Sequence, residues 1–301
     1  MISRVADEPV RILVTGANGQ VGWELQRSLS AMGAVVALDR SAFDLSRPDA
    51  MRSAIRELEP AVLVNAAAYT AVDRAESEPD LAMAINGVAP GVMANEMSRL
   101  GGVLVHYSTD YVFDGSGHTP WTERDAPNPV SVYGRTKLAG ERAIAAAGAE
   151  HLILRTSWVY GRRGSNFVRT IMRLALERDE LRIVADQVGA PTWCQDLADW
   201  TAVIVSRLLG PETSASQPSG VFHLAAGGQT TWHGLAQAVV RLAPELAHRR
   251  HVAVVPIASA QHPLPAKRPA FSVLDTAHVN RVFGVAPRHW QNALARCLCG
   301  G

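Results

Sequence analysis

The chain has 301 residues, 48% of them hydrophobic, with 29 lysines and arginines against 28 aspartates and glutamates. A net charge of +1 and a charged fraction of 19% argue against a disordered or nucleic-acid-coating protein. No apolar run approaches the roughly 18 residues of a membrane span, and Met1–Arg11 contains no signal-peptide core. Three cysteines are too few for a disulfide framework, so we expect a cytoplasmic protein that contacts neither nucleic acid nor a membrane.

The first half of the chain alternates short apolar runs with helical patterns. The apolar runs predict buried parallel strands at Val10–Thr15, Ala34–Leu38, Ala61–Asn65, Val103–Tyr107 and Leu152–Leu154. The segments between them predict helices at Gly19–Ala31, Pro48–Leu58, Pro79–Leu100 and Ser131–Ala147. This alternation predicts an α/β fold of the Rossmann type, a doubly wound parallel sheet covered on both faces.

The regular alternation ends near residue 155. We therefore predict a dinucleotide-binding domain over residues 1–155, and over residues 156–301 a smaller mixed α/β lobe for the substrate, with some segments returning to the first domain. Pro211–Gly220 predicts a surface loop. Residues 191–301 carry nine basic and five acidic residues, a balance that suits an anionic small molecule.

A glycine-rich turn follows the first predicted strand and opens the first predicted helix. Gly16 permits a tight turn, Gly19 lets the backbone approach a pyrophosphate, and Gly22 allows close contact between helix and strand. The helix N-terminus would then direct free N–H groups at the phosphates. The spacing is G-x-x-G-x-x-G and not G-x-G-x-x-G, so a turn without a ligand is the alternative interpretation.

Residues after the second and third predicted strands fit the rest of a dinucleotide. Asp39, 23 residues after Gly16, would bind ribose hydroxyls, and the alternative is a simple turn residue. The adjacent Arg40 would instead contact a ribose 2′-phosphate, which leaves both NADH and NADPH open. Asp44 and Leu45 would flank the adenine. The segment expected beneath the pyrophosphate and ribose is Ala67, Ala68, Tyr69 and Thr70.

A tyrosine and a lysine stand four residues apart, on one face of the helix predicted from Ser131. A phenol has a pKa of about 10, and an ammonium nearby would lower that pKa toward neutrality. Tyr133 is therefore the predicted proton donor, and Lys137, one of only two lysines, would tune it and hold the cofactor ribose. Thr109, at a carboxyl strand end, would meet Tyr133 at one carbonyl oxygen. The alternative is a packed tyrosine beside a surface lysine.

The combination of motifs resembles the extended short-chain dehydrogenase/reductases and, within them, the dTDP-4-dehydrorhamnose reductases. The stretches that carry the resemblance are Gly19-Gln20-Val21-Gly22-Trp23-Glu24-Leu25, Asn65-Ala66-Ala67-Ala68-Tyr69-Thr70-Ala71-Val72-Asp73, Ser108-Thr109-Asp110-Tyr111-Val112-Phe113, Arg155-Thr156-Ser157-Trp158-Val159-Tyr160 and Arg268-Pro269. The resemblance implies reduction of the C4 keto group of dTDP-4-dehydro-β-L-rhamnose by NADPH or NADH. The product, dTDP-β-L-rhamnose, would serve cell-surface polysaccharide such as O antigen.

The resemblance also implies site residues. Thr109, Tyr133 and Lys137 would be the catalytic trio, and Asp110 and Trp158 would contact the sugar nucleotide. Positions implied along the cofactor are Gly19, Gln20, Val21, Asp39, Asp44, Leu45, Ala68, Tyr69 and Thr70. Arg268 would bind the nucleotide diphosphate bidentately, or else be a solvated loop charge. Trp158 has the alternative of a core aromatic.

Two other functions remain open from the sequence. A nucleotide-sugar 4-epimerase of the same superfamily would keep its nicotinamide cofactor tightly bound, and a regulatory subunit would keep the fold without catalysis. The intact Thr109, Tyr133 and Lys137 disfavour the second. A dehydratase is disfavoured because Asp110 is followed by Tyr111, where the dehydratases of this superfamily carry Glu.

A metal site is not expected. Some members of the resembled family dimerise around Mg²⁺ through glutamates, and Glu24 matches the first of these positions. The second position holds Gln195, whose neutral amide is a poorer ligand for a hard dication than a carboxylate. Mg²⁺ is therefore disfavoured, and both a monomer and a homodimer are left open.

Overall fold

The structure is a computed structural model that describes residues 9–210, 218–249 and 251–300. Most of the predicted loop Pro211–Gly220 falls on 211–217, outside the described residues. The strands are β1 Arg11–Thr15, β2 Ala34–Leu38, β3 Val62–Asn65, β4 Val103–Thr109, β5 Glu150–Thr156, β6 Val159–Tyr160, β7 Glu180–Val184, β8 Val188–Gly189, β9 Thr192–Trp193, β10 Gly220–His223, β11 Thr230–Thr231 and β12 Ala253–Ile257. The α-helices are α1 Gln20–Leu29, α2 Pro48–Leu58, α3 Val72–Ala75, α4 Pro79–Met83, α5 Ala89–Leu100, α6 Val132–Ala146, α7 Phe167–Glu177, α8 Cys194–Leu209, α9 Trp232–Leu242, α10 Ala277–Phe283 and α11 Trp290–Cys299.

Six parallel strands form the central sheet, in the order β10-β5-β4-β3-β1-β2. The chain moves to one side from β1 to β2 and to the other side from β3 onward, so the strand order reverses between β1 and β3. Ligands of open α/β sheets bind in the crevice beyond the carboxyl ends of the strands at this reversal. The predicted doubly wound Rossmann-type fold is confirmed, and it places a crevice after Thr15 and Asn65.

The five predicted strands are all present; β1, β3, β4 and β5 are largely buried, and the edge strand β2 is partly buried. Successive side chains of a strand point to opposite faces, and in β1 Ile12 joins one core while Leu13 joins the other. The first core lies under α1 and α8, and the second lies under α2 and α5. β4 runs two residues further than predicted, which makes Thr109 the last residue of the strand.

The single helix predicted over Pro79–Leu100 consists of α4, a π-helical turn at Ala84–Val88 and α5. Pro90 has no N–H to donate to the carbonyl of Asn86, so regular α-helical bonding fails at this point. On α6, Gly140 passes so close that a Cβ on it would lie 2.1 Å from the Asn86 carbonyl oxygen. The π turn thus fixes Asn86 at the junction of two packed helices.

The second half of the chain contributes both to the sheet and to a separate core. β10 extends the central sheet beside β5, and α8 packs on α1. The remaining strands form pairs, β7 with β12, β8 with β11 and β6 with β9, over a core that includes residues of α7, α9 and α11. The division at residue 155 stays a prediction. Among the described residues, no helix combines the length and the apolar character that a membrane crossing requires.

Candidate active site

A cleft of about 570 Å³ opens at the carboxyl ends of β1, β3 and β4. Predicted cofactor residues that line it are Gly16, Gly19, Gln20, Val21, Arg40, Asp44, Leu45, Ala67, Ala68, Tyr69, Thr70, Tyr133 and Lys137. Lining residues that the sequence reasoning missed are Asn18, Phe43, Ala66, Ala71, Arg74, Ile85, Tyr107, Ser108, Thr156, Val159, Gly164 and Ser165. Thr156 Oγ1 is buried with no hydrogen-bond partner in the described part of the chain, so the cleft wall offers a polar group to a ligand.

The glycine turn has a backbone geometry that can bind a phosphate group. Gly16 has φ +73°, which favours glycine, and the N–H of Gly19 donates to the Gly16 carbonyl at 2.8 Å. A Cβ on Gly22 would lie 2.1 Å from that same carbonyl oxygen, so α1 can start this close to β1 only with glycine there. Gln20 begins α1, and its side-chain oxygen accepts a hydrogen bond from Asn166 of the second half of the chain at 2.8 Å.

The residues predicted at the adenosine end lie on one rim. Asp39 lines a shallow extension of about 230 Å³ together with Arg40 and the glycine turn. Its carboxylate accepts hydrogen bonds from Ser41 and Asn18, and the Ser41 hydroxyl contributes most to holding the pKa of Asp39 below its ordinary value. Arg40 is exposed and borders both this extension and the main cleft. An acceptor and a cation therefore stand side by side where a ribose would lie.

Tyr133 and Lys137 are carried by α6, whose start is fixed by Ser131. The Ser131 hydroxyl accepts a hydrogen bond from the Gly134 N–H at 3.1 Å, which caps the helix. A Cβ on Gly134 would lie 2.2 Å from the Tyr111 carbonyl oxygen, so this turn of α6 packs directly on the segment after β4. The predicted pair does share one face of the helix, and that face meets the cleft.

The expectation that Lys137 makes the Tyr133 phenol acidic is wrong for this structure. The pKa of Tyr133 is raised to about 12: burial raises it most, a hydrogen bond with Thr109 lowers it in part, and the negative charge of Asp110 raises it. Lys137 Nζ donates instead to the Tyr107 carbonyl oxygen at 2.6 Å and lies 3.1 Å from His106 Nε2. Tyr133 is accordingly a protonated phenol at neutral pH, which is the form a proton donor requires.

Lys137 is buried, and its environment destabilises the charged amine. Burial lowers the pKa of Lys137 to about 8, and the Glu141 carboxylate partly opposes this. Glu141 is also held by Arg155 in a bidentate ion pair at 2.9 and 2.6 Å. The sequence reasoning missed His106, whose position inside an apolar strand was the available signal.

Thr109 and Asp110 occupy the end of β4 and the 3₁₀ turn that follows it. The Thr109 hydroxyl accepts from the Tyr111 N–H at 3.1 Å and donates to Asp110 Oδ1 at 3.1 Å. Burial raises the pKa of Asp110 to about 7, and hydrogen bonds lower it in part. The structure therefore brings Thr109, Asp110 and Tyr133 together, as the sequence predicts.

Tyr69 is positioned by a residue that the sequence reasoning missed. The Asn86 amide accepts from the Tyr69 N–H at 2.8 Å and donates to the Tyr69 carbonyl at 3.0 Å. Its nitrogen also lies 3.3 Å from the Thr136 hydroxyl of α6. An asparagine inside a helical apolar stretch was the signal. Asn86 thus ties the segment after β3 to the helix that carries Tyr133.

Trp158 and Arg268 lie outside the main cleft lining. Trp158 has φ +46°, a strained conformation for a large side chain, and its ring stacks on Trp232 with 3.5 Å between centroids. Arg268 makes a bidentate ion pair with Asp73 at 3.1 and 2.7 Å. It also lines, with Lys267, a neighbouring pocket of about 500 Å³. Both predicted substrate residues therefore lie in the second half of the chain, beside the cleft.

Residues 10–300 match the family described as the RmlD substrate binding domain. The dTDP-4-dehydrorhamnose reductase of Burkholderia thailandensis is 48% identical over 292 residues, which cover 96% of this chain and 98% of that protein. This chain belongs to the dTDP-4-dehydrorhamnose reductase family. The resemblance inferred from the motifs is thereby confirmed.

Solved structures of the family share the whole fold. A dTDP-4-dehydrorhamnose reductase from Clostridium acetobutylicum is 37% identical, covers 96% of this chain and 98% of its own, and superposes with a TM-score of 0.88. The Bacillus anthracis reductase, solved in complex with NADP, is 32% identical, covers 97% and 99%, and has a TM-score of 0.87. Both cover the two halves of the chain, so the fold of both halves is shared.

Glu24 and Gln195 are the two positions that the resemblance relates to Mg²⁺. Glu24 lies 3.9 Å from the Arg27 guanidinium, and Gln195 is the second residue of α8. In the described ranges, no group of three or more histidine, cysteine, aspartate or glutamate side chains is arranged to hold a metal ion. The homodimer stays a prediction.

Proposed function

We propose that this chain reduces the C4 keto group of dTDP-4-dehydro-β-L-rhamnose to dTDP-β-L-rhamnose with NAD(P)H, with Tyr133, Lys137 and Thr109 as its catalytic residues. The observation that carries the proposal is the convergence of Tyr133, Lys137 and the glycine turn on one cleft at the reversal of strand order, with Thr109 hydrogen-bonded to the Tyr133 phenol. Membership of the reductase family supplies the substrate class.

The cleft fits a dinucleotide cofactor. Gly16 and Gly19 leave room for backbone N–H groups to approach a pyrophosphate at the start of α1. Asp39 would accept from ribose hydroxyls, and Arg40 would pair with a 2′-phosphate, while Asp44 and Leu45 would border the adenine. The family member from Bacillus anthracis was solved with NADP, which supports this assignment. When bound, NAD(P)H supplies the hydride for the C4 carbon.

The proton comes from the protein. Tyr133 would donate its phenolic proton to the C4 oxygen as negative charge develops there. The Thr109 hydroxyl, which donates to Asp110 Oδ1 in the structure, would turn its O–H toward the same substrate oxygen and stabilise that charge. Burial keeps the Tyr133 phenol protonated at neutral pH, which is the form that a proton donor needs. Neighbouring groups must then assist the transfer of this proton once the substrate is bound. Lys137, donating to the Tyr107 carbonyl, would direct another N–H into the cleft toward the ribose.

The sugar nucleotide would lie across the neighbouring pocket. Asp110 and Trp158 would contact the sugar, and Lys267 and Arg268, which line that pocket together with Asp114 and Asp186, would bind the diphosphate. The Asp73 ion pair fixes the plane of the Arg268 guanidinium, so this cation is presented in one orientation. Trp158, Lys267 and Arg268 lie in the second half of the chain, which supports the prediction that residues 156–301 mainly bind substrate. Cys194 and Cys297 are unpaired thiols, which suits the reducing cytoplasm that we propose as the location.

A panel assay tests the proposal. Purified protein would be mixed with NADPH or NADH and a series of 4-keto nucleotide sugars, and cofactor oxidation followed by absorbance. We expect turnover with dTDP-4-dehydro-β-L-rhamnose and the rhamnose configuration in the product. Protein that holds non-exchanging NAD⁺ and consumes no cofactor would contradict the proposal and favour the epimerase. Absence of turnover with every sugar in the panel would favour a regulatory subunit.

A further inference from the structure

Tyr111, in the 3₁₀ turn Asp110–Val112 after β4, contacts several groups at the proton-donor end of the cleft. Its backbone N–H donates to the Thr109 hydroxyl at 3.1 Å. Its carbonyl oxygen lies against α6 at Gly134, where a Cβ would lie 2.2 Å from it. Its ring lies beside that of Tyr133, with 5.7 Å between the centroids and 79° between the planes. One residue therefore touches the hydroxyl, the helix and the phenol on which the proposed proton transfer depends.

The contact between the two rings constrains the plane of the Tyr133 phenol. At 79° the rings meet edge to face, an arrangement that aromatic pairs prefer because the positive edge of one ring faces the negative face of the other. Without such a contact, rotation of an aromatic ring about its Cβ–Cγ bond is only weakly restricted. The O–H bond of a phenol lies in the plane of its ring. The Tyr111 ring therefore also sets the direction in which Tyr133 presents its proton.

The Tyr111 hydroxyl is held by Arg268. A guanidinium has only donors and no acceptor, so the hydrogen bond between these two side chains runs from Arg268 to the Tyr111 oxygen. Arg268 is fixed in turn by its bidentate ion pair with Asp73 at 3.1 and 2.7 Å. Its side chain also lines the neighbouring pocket of about 500 Å³. Tyr111 thus connects the Tyr133 phenol to a cation of the proposed substrate pocket.

Tyr111 makes these contacts as a neutral phenol. Removal from water raises the pKa of Tyr111 most, the negative charge of Asp110 raises it as well, and Arg268 lowers it in part, so that it stays above its ordinary value. A phenolate at this position would repel the negative charge that develops on Tyr133 as its proton leaves. A neutral ring constrains the donor without this repulsion.

We propose that Tyr111 is a positioning residue, whose ring fixes the plane of the Tyr133 phenol and whose hydroxyl ties that ring to Arg268. Tyr111 exchanges no proton and forms no covalent bond in this role, since it acts through Tyr133. The inference rests on the proposed function, because it takes Tyr133 as the proton donor and Arg268 as a ligand of the diphosphate. The ring should therefore affect the rate of the reaction, and the hydroxyl should affect binding of the sugar nucleotide.

Two variants separate the ring from the hydroxyl. Y111F keeps the ring and removes the oxygen that Arg268 binds, so kcat should stay near that of wild type while the KM for the ketosugar rises roughly two- to tenfold, the net effect of one hydrogen bond. Y111L removes the ring as well, so kcat should fall by about 10- to 100-fold, as expected for a misplaced catalytic group. The solvent deuterium isotope effect on kcat should increase in Y111L, because proton transfer from a misaligned phenol is slower.

Phe283→Leu is the matched control for loss of an edge-to-face contact. Phe283 meets Phe222 with 5.1 Å between centroids and 66° between planes, and neither residue is among those that line the cleft. Because Phe283 is buried, F283L should lower the thermal midpoint at least as far as Y111L does and should leave kcat unchanged. If Y111F or F283L lowers kcat as far as Y111L, the proposal is overturned.

Nuclear magnetic resonance of the full chain gives a readout that needs no turnover. An aromatic ring shifts the resonances of protons close to it, so the Tyr133 ring protons report the presence of the Tyr111 ring. With ring-labelled tyrosine the chain has five labelled rings, and Y133F identifies the signals of Tyr133. These signals should move little in Y111F and clearly in Y111L.

The resonances and the kinetics can fail separately. Tyr133 signals that stay in place in Y111L, or that move equally in both variants, overturn the proposal. Protein that shows the expected shifts but reduces no ketosugar contradicts the proposed function and leaves the ring contact standing.

Discussion

Glu141→Gln should strongly destabilise the protein, because it breaks a buried ion pair behind the cleft. Glu141 and Arg155 side chains are 5% and 4% exposed and are joined by two hydrogen bonds at 2.9 and 2.6 Å. The Ser108 hydroxyl donates to the same carboxylate. Glutamine has nearly the same shape but no charge, so the substitution leaves the guanidinium buried without its counter-charge.

The size of the effect follows from that burial. Removing one partner of a buried pair costs about 3–5 kcal/mol, since the remaining charge stays out of water. For a chain of this length, at about 2 °C per kcal/mol, the thermal midpoint should fall by roughly 6–10 °C. Arg155 Nη1 already has no hydrogen-bond partner in the described part of the chain, so the guanidinium has little else to bind.

Circular dichroism during urea and thermal unfolding measures the loss. The matched control is Glu177→Gln, which removes the same charge from an exposed pair with Arg173, 49% and 61% exposed, and should cost less than about 1 kcal/mol. The double variant E141L/R155M, which buries no charge, should recover most of the stability. If E141Q lost no more stability than E177Q, the reasoning from burial would be refuted.

Two further predictions concern Asp110 and the glycine turn. Burial raises the pKa of Asp110 from 3.8 to about 7, so the folded chain binds this proton more tightly than the unfolded chain. The stability that results from this proton is complete below pH 3.8 and is lost as the pH rises toward 7. The free energy of unfolding of Asp110→Asn should therefore rise relative to that of wild type as the pH goes from 3.8 to 7, which urea unfolding at several pH values measures. A difference between the two proteins that does not change with pH would contradict the prediction. Gly22→Ala would place a Cβ 2.1 Å from the Gly16 carbonyl oxygen and should weaken NADPH binding at least about tenfold in a fluorescence titration, because the phosphate turn must open. Gly210→Ala is the control, since its Cβ would meet nothing closer than 3.5 Å, and equal loss in both variants would argue against the turn.

The sequence predicted the parts of the fold that depend on local pattern. Pro48 starts α2 as expected, and the buried strands could be read from their apolar runs because a parallel sheet covered on both faces demands them. The break within Pro79–Leu100 was missed, since apolar periodicity continues through it while Pro90 disrupts the hydrogen bonding. The sequence did not predict that β10 pairs with β5. A strand of four residues that comes from a distant part of the chain leaves little local signal.

In the candidate site, too, local pattern predicted some features and contacts between elements determined the others. Residue types and spacing were enough to bring Tyr133, Lys137 and the glycine turn to one cleft, because strand ends and a helical face fix their positions. The pKa values in the site were not predictable from the sequence. The direction in which the Tyr133 pKa shifts depends on burial and on which acceptor Lys137 binds. His106 and Asn86 act through contacts between elements, and such contacts are visible only once the elements are packed.

The role of Tyr133 as proton donor is the central claim, and its most direct test is the steady-state rate of Tyr133→Phe. With NADPH and dTDP-4-dehydro-β-L-rhamnose, kcat/KM should fall by about 10²–10⁴-fold, the usual contribution of a positioned general acid. Tyr160→Phe is the control, because the Tyr160 hydroxyl is buried with no hydrogen-bond partner among the described residues, so its loss should leave turnover near that of wild type. A Tyr133→Phe enzyme that matched Tyr160→Phe in kcat/KM would contradict the account.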